Sequence, residues 1–124
     1  MSSAASVLIV DDEIHLRDTL SDILADFGFA VEAAADGQAA VDMCTDHEYY
    51  AVLLDICMPI LGGLEALKQI RARSGSGRVF LMSAHASEEE VQLGLAAGAE
   101  AFLPKPLDLD KVLGLLGDAA GSVS

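Results

Sequence analysis

The chain has no tryptophan, two cysteines and three prolines in 124 residues, and 7 basic side chains against 20 acidic ones. Each shortage excludes a class of protein. Cys44 and Cys57 form neither a metal-ligand spacing nor a disulfide framework, so both read as small, partly buried hydrophobes in a reducing compartment. The formal charge of -13 repels phosphate backbones and anionic lipid, which argues against nucleic acid or membrane as a partner of this domain. No uncharged stretch reaches the roughly 18 residues of a membrane span. The start, Met1-Ser2-Ser3-Ala4-Ala5, lacks the basic region of a secretory signal. The expectation is a soluble, cytoplasmic single domain over residues 1–124, with its core at about 6–118 and flexible termini, the small polar tail Ala119 to Ser124 among them.

What is abundant is aliphatic: 52% of residues are hydrophobic and 22% charged, a composition that can bury a core. Five short apolar runs recur, at Val7–Val10, Ala30–Ala34, Ala51–Leu54, Val79–Met82 and Ala101–Leu103. The first, third and fourth are continuously apolar, as strands covered on both faces are. The second is weaker and belongs at an edge. Helical periodicity fills the gaps. Leu16, Leu20, Ile23, Leu24 and Phe27 form one stripe before a stop at Gly28. Ala40, Val41 and Cys44 form a second, and Leu64, Leu67 and Ile70 a third. The fourth helix opens on a Ser87/Glu90 capping box and closes at Gly98, and the fifth follows Asp108 with Leu109, Val112, Leu113 and Leu116. Strict β-α alternation predicts a doubly wound α/β fold with helices on both faces of a parallel sheet.

Function in such sheets gathers outside the carboxyl ends of the strands. Those ends carry Asp11-Asp12-Glu13, Asp55, Ser83-Ala84 and, just past the fifth run, Lys105-Pro106. If the first and third strands are neighbours, Asp11, Asp12 and Asp55 converge. Crowded carboxylates raise one another's pKa unless a cation intervenes, and hard oxygen donors suit Mg²⁺, or Mn²⁺ in its place. A carboxylate nucleophile, a divalent cation, an ammonium and a hydroxyl donor together suit acceptance of a phosphoryl group on Asp.

Four segments in order carry a resemblance. They are Val7-Leu8-Ile9-Val10-Asp11-Asp12-Glu13, then Leu53-Leu54-Asp55-Ile56-Cys57-Met58-Pro59 with Gly63 following, then Met82-Ser83-Ala84, then Phe102-Leu103-Pro104-Lys105-Pro106. Over about residues 6–118 the chain resembles the receiver domains of bacterial two-component response regulators. The resemblance implies a flavodoxin-like (βα)5 fold with a five-stranded parallel sheet in the order 2-1-3-4-5. It implies Asp55 as phosphoacceptor, Asp12 as a direct metal ligand, Asp11 as a ligand directly or through water, and the backbone carbonyl of Cys57 completing the set. Lys105 would pair with the carboxylate and then with phosphoryl oxygens, which Ser83 and the Ala84 amide would also bind. Ser83 and Phe102 would form the switch that remodels the surface of the fourth helix, fifth strand and fifth helix. Cys57 and His85 would flank the water path and tune dephosphorylation. Lys105-Pro106 is a candidate cis peptide. The implied partners are a histidine kinase or histidine phosphotransfer protein and a downstream effector or output domain. A fourth helix without basic residues leans toward a monomer or weak dimer. Such a chain is a signalling module that catalyses only its own phosphorylation and dephosphorylation.

The departures matter too. Where the family usually shows a glycine and an acidic residue before Gly63, this chain has Ile60, Leu61 and Gly62, an apolar loop that either packs or docks a partner. Singly, each residue has a plainer reading: Asp11-Asp12 as a helix N-terminus, Ser83 as a strand-end cap, Lys105 as a surface lysine, Phe102 as static core. Asp55 is harder to dismiss, because a charge ending the most apolar strand is costly without a partner. Glu13 reads as a helix-start residue, His15 and His47 as surface residues, and Tyr49-Tyr50 as packing. Glu88-Glu89-Glu90 reads as a solvated face, and Gly75-Ser76-Gly77 as a flexible loop. Two other classes stay open: a phosphorylation-independent pseudo-receiver that serves as a scaffold, and a flavodoxin-like cofactor binder. The presence of Asp11, Asp12, Asp55, Ser83 and Lys105 weighs against the first. The lack of a serine- or threonine-rich phosphate loop after the first strand weighs against the second.

Overall fold

A computed structural model describes residues 5–58, 60–73 and 77–117. The elements follow the predicted alternation: β1 (Ser6–Val10), α1 (Ile14–Asp26), β2 (Ala30–Ala34), α2 (Gly37–Asp46), β3 (Ala51–Asp55), α3 (Gly63–Arg73), β4 (Arg78–Ser83), α4 (Glu88–Ala96), β5 (Ala101–Pro104) and α5 (Leu109–Leu116). The five strands form one parallel sheet in the order β2-β1-β3-β4-β5, a flavodoxin-like arrangement. The weak second run is an edge strand, as its polar Glu32 and exposed alanines require. The central β3 is buried at all five positions.

Alternation along the strands splits the core in two. Leu8, Val10, Val52, Leu54, Val79 and Leu81 face α2 and α3, where Ala40, Val41, Cys44, Ala66, Leu67 and Ile70 meet them. Val7, Ile9, Leu53, Phe80 and Met82 face the other way, onto Leu20 and Leu24 of α1 and Val112 and Leu116 of α5. Each of the larger side chains (Val, Leu, Ile, Phe, Met) contributes about 1.5–3 kcal/mol when fully buried. The helices start where short polar side chains receive their first amides: Asp36 accepts from Ala39, Ser87 from Glu90 in a full capping box, and Asp108 from Asp110 and Lys111.

One position on the predicted stripe of α1 is corrected. Phe27 is 53% exposed, and Phe29 is buried in its place. The helix ends at Asp26 and the chain reverses through Gly28 at φ 97°, so the 3.6-residue period stops one residue short of Phe27. The tail from residue 118 and the Gly75-Ser76 part of the predicted loop lie outside the described residues. Among the described residues, no helix is long and apolar enough to cross a membrane.

The start of α3 is pressed against the strand that carries Asp55. A Cβ on Gly63 would sit 2.2 Å from the Asp55 carbonyl oxygen and 2.7 Å from Ile56 Cα, both backbone atoms that cannot swing away. Gly114 in α5 has nothing within 4 Å of the same point. Glycine-to-alanine in a helix ordinarily stabilises by about 0.5–1 kcal/mol, so the two sites should respond with opposite sign. Gly114→Ala should gain about that amount, whereas Gly63→Ala should lose roughly 2 kcal/mol through overpacking. Urea-unfolding midpoints check both, and a stabilised Gly63→Ala would contradict this packing.

Candidate functional site

Parallel pairing of β1 with β3 places Val10 beside Leu54, so the next residues, Asp11 and Asp55, emerge side by side at the carboxyl ends. With Asp12 they form a cluster whose ligand oxygens all lie within 4.8 Å of one another. The three differ in depth: Asp11 is fully buried, Asp55 nearly so at 4% exposure, and Asp12 is exposed. A buried acidic pair with an exposed third carboxylate makes a cleft open to solvent on one side.

Lys105 supplies the positive charge. The connection after β5 is fixed by the Lys105 amide donating to the Ser83 carbonyl at 2.9 Å, and the Lys105-Pro106 peptide is cis, as the motif led us to expect. Its Nζ lies 2.6 Å from Asp11 Oδ2 and 3.3 Å from Asp55 Oδ2. The ammonium therefore bridges both buried acids and sits closer to Asp11. Asp55 Oδ1 accepts from the Cys57 amide at 3.2 Å, and Asp11 Oδ1 from the Glu13 amide at 2.9 Å. Burial pushes the Asp55 carboxyl above its ordinary range and the charge of Asp11 adds to this, while Lys105 and the Cys57 amide pull the other way. Burial pulls the Lys105 ammonium down, but the hydrogen bond to Asp11 and the charges of both acids outweigh it, and its pKa ends above 10.5. One ammonium against three carboxylates leaves the cleft negative. That donor set, all hard oxygen and open on one side, fits a magnesium-sized divalent cation.

On the β4 side, Ser83 is buried and its Oγ accepts from the His85 amide at 3.1 Å, which leaves the hydroxyl proton free to donate elsewhere. Ala84 is exposed, and among the described residues its amide has no protein acceptor. Phe102 is half-buried against the α2/α3 side of the core, next to Leu81 in register. His85 is exposed, and its backbone amide is the part that touches Ser83.

Other candidates resolve differently. Cys57 is exposed, which corrects its reading as a partly buried hydrophobe: it follows the strand end, where alternation no longer turns it into the core. Cys44 is buried, and burial pushes its thiol up to about 11. The apolar loop divides, with Leu61 packed against the core and Ile60 80% exposed at φ 70°, a strained backbone for a β-branched residue. Tyr49 packs as predicted, its hydroxyl donating to Glu32 at 2.6 Å. Glu13 caps α1 with its backbone alone. His15 and His47 are exposed. Sequence reasoning missed Arg17, whose Nη1 donates to the Asp11 carbonyl at 2.7 Å. Its only signal is a position six residues beyond Asp11, one turn into α1.

Comparison with known proteins agrees with this geometry. Residues 7–116 match the family model described as the response regulator receiver domain. The chain is 38% identical over 107 residues to the response regulator MprA of Mycobacterium sp. (strain KMS), a match covering 86% of this chain and 46% of MprA. It thus spans about half the length of the curated relatives it matches. The chemotaxis protein CheY4 of Vibrio cholerae superposes with a TM-score of 0.84 at 33% identity, covering 92% of this chain and 97% of that one. The receiver domain of the sensor histidine kinase PA1611 of Pseudomonas aeruginosa PAO1 superposes with a TM-score of 0.84 at 27% identity, covering 98% and 100%, and that structure holds a magnesium ion in its active-site cleft. With the acidic cluster, the bridging lysine and the buried serine at the ends of the same strands, the chain belongs to the response regulator receiver domain family.

Proposed function

We propose that this receiver accepts a phosphoryl group on Asp55 from a histidine kinase or histidine phosphotransfer protein, and later loses it to water. The observation that carries the reading is the pairing of the buried Asp55 carboxylate with Lys105 beside the Asp11/Asp12 pair. Asp11, Asp12, Asp55 and the backbone carbonyl of Cys57 would hold Mg²⁺, or Mn²⁺, which when bound supplies charge neutralisation to the entering phosphoryl oxygens.

The protein's own groups do the rest. An Asp55 carboxylate oxygen attacks phosphorus as the P–N bond of the donor phosphohistidine breaks, and the released imidazole takes up a proton from solvent. Lys105 Nζ shifts part of its hydrogen bonding from the carboxylates to the phosphoryl oxygens, and the Ser83 hydroxyl and Ala84 amide offer two neutral donors. In the return step water attacks phosphorus and the bond to the Asp55 oxygen breaks, releasing inorganic phosphate. Cys57 and His85 flank that approach and tune its rate. Movement of Ser83 toward the phosphoryl group and of Phe102 inward alters the α4, β5 and α5 surface read by a downstream effector or output domain. The module works in the cytoplasm as a monomer or weak dimer.

The test is intact-mass analysis of the chain incubated with acetyl phosphate. The reading predicts a single phosphoryl adduct with Mg²⁺ and none with chelator. A folded chain that takes no adduct with Mg²⁺ would support the pseudo-receiver scaffold instead.

A further inference from the structure

Asp11 is held at each of its polar atoms. Its amide donates to the Ala34 carbonyl at 3.1 Å, Oδ1 accepts from the Glu13 amide at 2.9 Å, and Oδ2 accepts from Lys105 Nζ at 2.6 Å. The fourth contact is Arg17 Nη1 on the carbonyl oxygen at 2.7 Å. That carbonyl belongs to a fully buried residue just past the end of β1, where the sheet no longer supplies a partner, so a donor there is needed. Asp12 is placed quite differently. It is exposed, and among the described residues its carboxylate takes no hydrogen bond or ion pair, so the main chain on either side of it decides where it points.

The peptide between Asp11 and Asp12 includes the very carbonyl that Arg17 holds. Arg17 is half-buried near three carboxylates, yet among the described residues it has no carboxylate oxygen within 4 Å. Its guanidinium is engaged on the backbone, where a rigid planar donor fixes a direction as well as a distance. We propose that Arg17 is a positioning residue for the cation site: by holding the Asp11 carbonyl it orients the Asp11–Asp12 peptide and so directs the Asp12 carboxylate into the cluster. This rests on the cation-binding reading of the cleft given above.

Two simpler roles predict different results. If Arg17 acted only as a positive charge near an acidic site, removing it would strengthen cation binding by relieving repulsion. If it acted only in folding, removing it would lower stability and leave the affinity of the folded chain unchanged. The test is calorimetric titration of the 124-residue chain with Mg²⁺ alone, for the wild type, Arg17→Met and Arg17→Lys, alongside melting temperatures in chelator. We expect Arg17→Met to bind Mg²⁺ roughly 10-fold more weakly, the usual scale for losing a residue that orients a ligand. Arg17→Lys, which keeps a donor but not the planar fork, should recover part of that loss and stays informative if the methionine variant folds poorly. Unchanged or tighter Mg²⁺ binding in both folded variants overturns the proposal while leaving the site reading intact. A wild type that binds no Mg²⁺ at millimolar concentration overturns both.

Discussion

Asp55→Asn should give a chain that takes no phosphoryl group from acetyl phosphate and that, in chelator, melts higher than the wild type. The first effect is the loss of the nucleophile, since an amide oxygen does not form the mixed anhydride. The second follows from electrostatics. Burial and the Asp11 charge raise the Asp55 pKa in the folded state above its ordinary value of 3.8, so the folded chain binds the proton more tightly than the unfolded one does. Stability from that group is complete below the unfolded pKa and is lost as pH rises through the folded pKa. At neutral pH, therefore, the ionised Asp55 works against the metal-free fold. Asparagine removes the charge but can still accept from the Cys57 amide, and Lys105 keeps Asp11 as its partner. The gain should be about 1 kcal/mol, or several degrees in Tm for a domain of this size. It should shrink toward zero as pH falls into the carboxylate range. A thermal melt in chelator across pH checks this, and a less stable Asp55→Asn at pH 7 would contradict the assignment of Asp55 as a strained, partly compensated charge.

Lys105→Met should move stability the other way, and further. Nζ is the one cationic group within 4 Å of either buried carboxylate among the described residues, and the Asp11 side chain has no exposure to water. Removing one partner of a buried pair commonly costs 3–5 kcal/mol. The lysine side chain is itself 19% exposed and the cleft is open, so about 2–3 kcal/mol is the expected loss at pH 7 in chelator. Two conditions should restore it. Acid protonates Asp55, whose pKa is raised, and so relieves its repulsion with Asp11, and millimolar Mg²⁺ stabilises the native state by mass action. In the wild type, the raised Lys105 pKa gives a contribution that holds below 10.5 and is lost as pH rises through the folded value, an alkaline limb that the methionine variant should lack. Urea titrations at pH 7 with chelator and with Mg²⁺ read all of this, and equal midpoints for variant and wild type in chelator would show that Lys105 does not hold the two acids together.

How far these groups could be read from residues alone depends on the kind of order involved. The strands were legible because a run such as Ala51–Leu54 buried on both faces has to be apolar throughout, and the helices because caps such as Ser87/Glu90 occupy defined positions. That β1 lies beside β3, on which the whole cluster depends, is a long-range fact that periodicity does not contain. It came from the resemblance. The same limit explains the misplaced side chains. Phe27 fits the helical period and fails because the turn at Gly28 cuts the helix short, while Cys57 fits the hydrophobic tally and fails because it lies beyond the strand. Arg17 was invisible for another reason. Its contact is with a carbonyl, and main-chain acceptors exist at every position, so no residue pattern singles out the one that needs a donor. The closer approach of Lys105 to Asp11 than to Asp55 is likewise a matter of sub-ångström packing.

The most direct test of the central claim is to locate the phosphoryl group. The chain would be incubated with acetyl phosphate and Mg²⁺, reduced with borohydride to convert an acyl phosphate into homoserine, and mapped by peptide mass spectrometry. The account predicts conversion at residue 55 alone, with Asp11 and Asp12 unaltered. Conversion at Asp11 or Asp12, or an adduct that survives as a serine or histidine phosphate, would contradict it.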